Sequence, residues 1–337
     1  MEIGTNVTGK MVSALRKLGF DRVFDTNTGA DLTIMEEANE FVERFTKNEN
    51  LPMITSCSPG WVKFAEMNYP EELKHLSSCK SPHEMFGAIL KTYYAEKENI
   101  DPSKIYVVSV MPCIAKKFER QRNELQNNGM YDVDAVLTTR ELARMIKQGN
   151  IEFLNLEDEK FDEPMGEATG AGAIFGVTGG VMEAALRTAY ETITKENLDK
   201  IEFKEVRGNK GIKKATVKIK DRDVKVVVAS GLANARKIMD EIKEGKADYD
   251  FVEIMACPNG CIMGGGQPIK SSKIRATVDV AKLRGDALYT IDEKSKIRKS
   301  HESPVMKKLY AEFLEKPGSN IAHELLHTKY HKRSKLK

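Results

Sequence analysis

The sequence predicts an α/β fold in which strands and helices alternate and cysteines gather at strand ends. Two observations carry that prediction. Short apolar runs rich in β-branched residues, each bounded by Pro or Gly, recur along the chain and lead into segments with helical apolar spacing. Three of these runs also end in a cysteine-bearing turn: Thr55-Ser56-Cys57-Ser58-Pro59-Gly60-Trp61, Met111-Pro112-Cys113, and Met255-Ala256-Cys257-Pro258-Asn259-Gly260-Cys261.

In chain order, Gly4 to Gly19 carries Met11, Ala14, Leu15 and Leu18 at helical spacing, and Gly19 is a C-terminal stop. Asp21 to Asp25 has a short strand pattern through Val23 and Phe24. A second helix is expected from Asp31, with Ile34, Ala38, Phe41, Val42 and Phe45 on one face. Glu36, Glu37 and Glu40 fall in its first half, where acids suit the helix dipole; by themselves they read as a solvated helix start. Leu51 to Thr55 is a short strand leading into the first cysteine turn, and helical spacing resumes after Trp61. Ile105 to Val110, between Pro102 and Pro112, predicts a buried strand that delivers Cys113.

Ala135 to Leu137 is another strand, and Thr138 with Glu141 forms a capping box for a helix through Leu142, Met145 and Ile146. The glycine-dense stretch Gly166 to Gly180 lacks the Gly-Lys-Ser/Thr ending of a phosphate-binding loop. A helix follows from Val181 to about Thr194; Ile201 to Ser230 predicts a strand and a hairpin; Leu232 to Ile242 is a helix. The apolar run Tyr249 to Met255 reads as a buried strand ending at Cys257. Beyond Pro268 the chain from Arg275 to Lys337 is charged and helical, with Leu309, Phe313 and Leu314 on one face. It includes His323-Glu324-Leu325-Leu326-His327, the spacing of helical zinc proteases. So near the end of the sequence it leaves little chain for a substrate cleft, and packing or surface contact is the expected role. The basic stretch His331 to Lys337 reads as a solvated end.

Apolar content of 41% with 31% charge describes a globular chain, and a net charge of +3 is too small to argue for nucleic acid. No apolar run approaches the ~20 residues of a membrane helix. Met1-Glu2-Ile3-Gly4 lacks the basic and apolar regions of a signal peptide. The five cysteines, Cys57, Cys79, Cys113, Cys257 and Cys261, are too sparse and odd in number for a disulfide framework, so a reducing, cytoplasmic setting is expected. Cys257 and Cys261 sit on a tight turn containing Pro258 and Gly260, and Gly264-Gly265-Gly266 lets backbone pass close to a bulky group with N–H donors free. Strand ends, thiolates and a glycine run suit a metal–sulfur site. Cys79 lacks a following Pro or Gly turn and reads as a buried structural thiol.

Read together, the three cysteine loops resemble the three signatures of [FeFe]-hydrogenases: Thr55 to Trp61; Met111-Pro112-Cys113 with Lys116 and Glu119; and Glu253 with Met255-Ala256-Cys257-Pro258, Gly260-Cys261 and Gly264-Gly265-Gly266-Gln267-Pro268. The likeness extends to Asp31 through Glu37, Gly170 through Gly176 and Gly179 through Arg187. Residues 1–270 look like the family's large-subunit, cluster-holding domain, and 275–337, with Lys299-Ser300-His301-Glu302 and Ala322 through His327, like its small-subunit region. The resemblance implies two lobes of twisted sheet flanked by helices, with the cluster between them.

It also implies a [4Fe–4S] cubane joined through a cysteine sulfur to a two-iron subsite carrying CO, cyanide and an azadithiolate bridge, which together heterolyse H2 reversibly. By position, Cys113 and Cys257 would hold the cubane and Cys261 would bridge to the two-iron unit. Lys116 would hydrogen-bond a cyanide, while Met111, Met255, Phe175, Gly264, Gly265 and Gln267 would line the cofactor. Protons would travel through Cys57, Glu37, Ser77 and Glu40; ferredoxin-like carriers and maturation proteins are the implied partners.

Departures accompany the match. The family's first signature has adjacent cysteines, the first relaying protons and the second binding the cubane. Here Cys57 keeps the relay position and Ser58 occupies the metal position. Oxygen is a harder, less acidic donor, so Ser58 ligates weakly, Cys57 turns inward to replace it, or the cubane lacks one protein ligand. An upstream Ala-Pro segment of the family precedes the region matched by Met1 and is not in this sequence. His83 stands where a glutamine is usual, and Ile114 where a small polar residue is. Two functions remain open on these residues: a hydrogenase, and a non-catalytic sensory or iron–sulfur-binding relative on the same scaffold.

Overall fold

The computed structural model describes residues 2–208 and 210–334. Its strands are β1 (Met53–Ile54), β2 (Val108–Met111), β3 (Gln126–Asn127), β4 (Met130–Tyr131), β5 (Ala135–Thr138), β6 (Ile212–Ile219), β7 (Arg222–Ser230) and β8 (Phe251–Met255). They form a four-stranded sheet in the order β1-β8-β7-β6, a β2-β5 pair and a small β3-β4 ribbon. β1 runs parallel to β8 and β8 to β7, while β6 and β7 are an antiparallel hairpin. β2 runs parallel to β5. The chain is α/β, as expected.

Strand periodicity divides the large sheet between two layers of helix. After α1 (Thr8–Lys17) comes α2 (Thr26–Lys47), and Met53, Val226, Val228, Phe251 and Met255 face Ile34, Ala38, Phe41 and Phe45 of α2 and the apolar side of helix Gly180–Thr194. Ile54, Val227, Ala229, Val252 and Ile254 face Trp61, Val62 and Ala65 of α3 (Pro59–Asn68) and the helix Leu232–Lys243. Phe41 stacks on Phe251 with ring centroids 4.6 Å apart. β8 is buried along its whole length, its central Glu253 included, because backbone N–H groups of Gly179 and Met182 meet that carboxylate.

Several elements depart from the sequence expectation. Val23 and Phe24 form no strand, because the Val23 N–H is taken by the Asp162 carboxylate at 2.6 Å and the Val23 carbonyl by the Asp162 N–H at 2.9 Å. α2 begins at Thr26, not Asp31, since Asp25 caps it by accepting the Asn27 N–H. Asp31 itself turns inward to accept from Thr169 and Ser300. Glu36 and Glu37 are fully buried, so they are not a solvated helix start. Strand β2 starts at Val108 and alternates in burial, with Tyr106 exposed. No strand precedes the β6-β7 hairpin in the stretch from Ile201 to Val206, which ends in a 3₁₀ turn. The capping box is present: Thr138 Oγ1 accepts from Glu141 N, and the Glu141 carboxylate accepts from Thr138 N.

The C-terminal segment is keyed to the rest by buried charge. Arg187 pairs with Asp292 at 2.8 Å and with Glu183 at 2.7 Å, and the Tyr310 hydroxyl donates to Glu36. The basic end is not wholly solvated: Arg333 reaches Glu66 at 2.7 Å and Glu124 at 3.0 Å, since fully buried Glu66 needs cations. Lys335 to Lys337 lie outside the described residues. Among the described residues, no helix is long and apolar enough to cross a membrane.

Candidate metal centre

Three turns meet, one after each of β1, β2 and β8. β1 delivers Thr55, whose carbonyl accepts the Trp61 indole N–H at 3.1 Å, and Ser56 Oγ donates to the Cys79 carbonyl at 2.9 Å. These bonds turn the chain at Cys57 and Ser58 before Pro59 opens α3. β2 delivers Pro112 and Cys113, then a single helical turn, Lys116–Glu119. β8 delivers Cys257 and Cys261 on a turn held by Gly260 N donating to Cys257 O at 3.1 Å and Gly264 N to Cys261 O at 2.9 Å.

The turns are locked to one another. Gly266 N donates to Pro112 O at 2.8 Å, and a Cβ on Gly264 would collide with that same carbonyl. Gly260 has φ +86°, and a Cβ there would lie 2.8 Å from Gly176 O. Glycine is therefore required at 260 by conformation and at 264 by close approach. Lys116 Nζ donates to the Cys57 carbonyl at 3.2 Å, joining the first and second turns. Ala256 N donates to Ser58 Oγ at 3.2 Å, joining the first and third.

The thiols of the three turns influence one another electrostatically. Burial, reinforced by Cys113 and partly opposed by Lys116, pushes the Cys261 thiol up to about 12. Cys257 is raised by burial and by Cys113, against which the Gly265 N–H works as a hydrogen-bond donor. Cys57 is raised well above the ordinary range by burial and then by Glu37, while Lys116 opposes. All four residues are only half-buried by area, yet the packing around Cys57 and Cys261 is dense enough that bare thiolates are disfavoured there. Such thiols give up their protons to a cation that binds them. Three soft donors with an N–H aimed at one sulfur fit an iron–sulfur cluster.

Lys116 is buried, and its ammonium lies 2.7 Å from Glu119 Oε2. Burial disfavours its charge, but Glu119 and then Cys113 outweigh that and raise its pKa. The same Glu119 oxygen accepts from Ser81 Oγ at 3.0 Å and contacts His83 Nε2 at 2.7 Å. Burial penalises its charge, but Lys116 and His83 hold the carboxyl down to about 2. Glu119 at three residues from Lys116 was within reach of helical spacing; its partners Ser81 and His83, and the role of Glu253, were not. Glu253 accepts from Gly179 N at 2.6 Å and Met182 N at 2.8 Å, fixing the helix Gly180–Thr194 to β8.

The remaining predicted residues fall into three groups. Met255, Phe175 and Cys57 share one apolar cluster, whereas Met111 belongs to another with Val133 and Val136. Gln267 sits on the third turn, its N–H donating to Gly264 O at 3.0 Å, and Gly265 is exposed. Behind Cys57, Glu37 is fully buried and, among the described residues, neither of its oxygens has a hydrogen-bond partner. Burial pushes it up to about 8, with nearby Ser77 offsetting only part because its hydroxyl donates to Glu40 at 3.1 Å. Cys79 is buried, with Sγ 3.9 Å from Glu40 Oε2. The His323 and His327 rings lie side by side, tilted by 40° with centroids 4.2 Å apart, but both His327 nitrogens are taken, by Ser78 and by Glu36.

Converging strand ends that carry thiols define an iron–sulfur protein. The profile of the iron only hydrogenase large subunit, C-terminal domain, matches residues 1–265, and that of the iron hydrogenase small subunit matches residues 278–333. The chain is 53% identical over 339 residues to the NADP-reducing hydrogenase subunit HndD of Solidesulfovibrio fructosivorans, covering 99% of this chain and 57% of that one. It is 51% identical to Iron hydrogenase 1 of Clostridium pasteurianum, covering 98% and 58%. A variant of apo [FeFe]-hydrogenase HydA1 from Chlamydomonas reinhardtii superposes with a TM-score of 0.85 at 41% identity, covering 98% of this chain and 89% of that one. More distantly, Protein NAR1 of Arabidopsis thaliana is 34% identical, covering 96% and 72%. The chain belongs to the iron-only hydrogenase family. It spans a little under three fifths of the length of the two curated hydrogenases it matches.

Proposed function

We propose that this chain is the catalytic unit of an [FeFe]-hydrogenase, interconverting H2 with protons and electrons and exchanging electrons with a ferredoxin-like carrier. The observation that carries the reading is Lys116: a buried ammonium held by Glu119 at 2.7 Å and turned to the Cys57 carbonyl, beside Cys113 and Cys261. A plain cluster-binding protein has no use for a buried cation there, whereas anionic cyanide ligands do.

Cys113 and Cys257 would hold a [4Fe–4S] cubane, Cys261 would bridge to a two-iron subsite with CO, cyanide and azadithiolate, and Ser58 stands at the fourth position. The group, when bound, supplies Lewis-acidic iron and a basic amine for H2 cleavage. Met111, Met255 and Phe175 exclude water with soft, apolar bulk, and Gly264, Gly265 and Gln267 bring backbone close. Cys57, Glu37, Ser77 and Glu40 carry protons outward, Glu37 being suited by a carboxyl pushed up to about 8. Residues 1–270 form the cluster-holding unit and 275–337 its small-subunit-like cap. Maturation proteins would insert the two-iron unit, in a reducing cytoplasmic setting.

A second reading is a non-catalytic iron–sulfur relative. It is favoured by Ser58, whose hydroxyl is engaged with Ala256 N rather than free for metal. Anaerobic iron and sulfide counting with infrared detection of CO and cyanide stretches, alongside an H2 assay, decides. Cubane iron with those bands and H2 turnover supports the hydrogenase; cubane iron without them supports the relative.

A further inference from the structure

A second knot of buried charge lies behind Lys116. His83, near the start of the helix Pro82–Ile89, is 3% exposed, and both of its ring nitrogens are engaged. Nε2 is 2.7 Å from Glu119 Oε2 and 3.1 Å from Glu84 Oε1. Ionised carboxylates only accept, so Nε2 carries a proton. Nδ1 is 3.0 Å from Ser109 Oγ, a hydroxyl that accepts from a ring N–H or donates to a bare nitrogen.

Charge balance decides between those two states of Nδ1. Glu84 is fully buried and, among the described residues, neither of its oxygens has a hydrogen-bond partner, so its contact with His83 is one of charge alone. Lys80 is spent on Asp132 at 2.7 Å, and the Lys116 ammonium goes to Glu119 at 2.7 Å. Two buried carboxylates therefore face Lys116 and His83, and only a charged ring leaves the group neutral. A buried carboxylate without a counter-charge is costly. Burial and Lys116 oppose the charge on the ring, but Glu84 and Glu119 outweigh them and raise its pKa.

Glu119 Oε2 is where these groups meet, taking Ser81 Oγ at 3.0 Å together with His83 and Lys116. A charged ring draws on that oxygen and leaves the Lys116 ammonium less neutralised. A neutral ring leaves the carboxylate to Lys116. His83 and Ser109 also border a cleft of about 650 Å³ that the exposed Tyr106 lines, which lets the ring exchange its proton on the Nδ1 side. The other charged groups lining that cleft are Asp21, Arg22, Asp25 and Lys104.

We propose that His83 is a positioning residue of the metal centre: as a buried imidazolium it shares Glu119 with Lys116, and its charge sets how strongly the Lys116 ammonium acts on an anionic ligand of the cofactor. The proposal rests on the hydrogenase reading for that ligand. When the ring loses its Nδ1 proton toward the cleft, the Ser109 hydroxyl turns from acceptor to donor, and Nε2–H stays on Glu119.

The test starts with the full chain free of iron, where ¹⁵N NMR reads the His83 ring, identified by the signals that His83→Gln removes and by the Nδ1 signal that Ser109→Ala shifts. The expected ring is an imidazolium at pH 7 that becomes the Nε2–H tautomer at higher pH. Glu84→Gln displaces that curve toward lower pH, because a carboxylate favouring the charged ring is gone. A ring already neutral at pH 7, or a curve unmoved by Glu84→Gln, overturns the proposal. In protein loaded with its cofactor, infrared spectra follow the cyanide bands over the same pH range. In the unsubstituted chain the bands move as His83 titrates. In His83→Gln, which keeps a donor to Glu119 but cannot become charged, that movement is lost. Bands that ignore the His83 titration, or that move equally in both proteins, overturn the proposal as well. If the unsubstituted chain yields no CO or cyanide bands, the hydrogenase reading fails, and the NMR arm decides alone whether His83 is the charged partner of Glu119 and Glu84.

Discussion

The hydroxyl of Ser58 accepts the backbone N–H of Ala256 at 3.2 Å, so the first cysteine turn is tied to the third one residue before Cys257. Oxygen at this position closes the site's backbone and offers a hard donor where soft thiolates otherwise gather.

Ser58→Cys is therefore expected to raise iron retained after anaerobic reconstitution, by completing a four-thiolate set. Cys57→Ala separates the two roles open to that thiol. Loss of H2 turnover with iron retained assigns it to proton transfer. Loss of the cubane, with Ser58→Cys giving no gain in iron, reverses the assignment of the two residues.

Glu37 gives a pH signature. Its folded carboxyl, pushed up to about 8 by burial, binds a proton more tightly than the unfolded chain does at about 4.5. Stability from the protonated, buried form is thus fully present below 4.5 and is lost as pH rises through 8. Glu37→Gln should stabilise the fold relative to the unsubstituted chain above pH 8, on the order of 3 to 5 kcal/mol, with the gain vanishing below pH 4.5. Urea midpoints of the cluster-free chain at three pH values check this; a difference independent of pH refutes it.

Glu119 has the opposite sign. Held down to about 2 by Lys116 and His83, it contributes stability above 4.5 that disappears as pH falls through 2. Glu119→Gln leaves the Lys116 ammonium buried without its counter-charge, while His83 keeps Glu84 at 3.1 Å; the unpaired ammonium costs about 3 to 5 kcal/mol near neutrality. Denaturant unfolding at pH 7 and at pH 3 should show the penalty shrinking in acid.

Cys79→Ala should leave iron per chain unchanged, because its thiol lies beside Glu40 and its backbone pairs with His327, away from the three cysteine turns. A fall of about one cubane per chain would contradict this.

What the sequence determined by itself was local or strongly periodic. Apolar runs marked β1 and β8, Thr138 and Glu141 announced their capping box, and a proline close to each of Cys57, Cys113 and Cys257 (Pro59, Pro112 and Pro258) marked the turns that meet. Each signal resides in a few neighbouring residues, where hydrogen bonding and alternation are decided within one turn or strand. Tertiary structure alone decided the partners. Val23 lost its strand to Asp162, Glu36 of α2 went inside to Tyr310 while Glu40 took Ser77, and Glu119 was met by His83. It also brought His327, from the far end of the chain, against Ser78. Those pairings join residues tens to hundreds of positions apart. A buried charge must find whichever counter-charge the packed fold presents, and nothing in its sequence neighbourhood specifies which one.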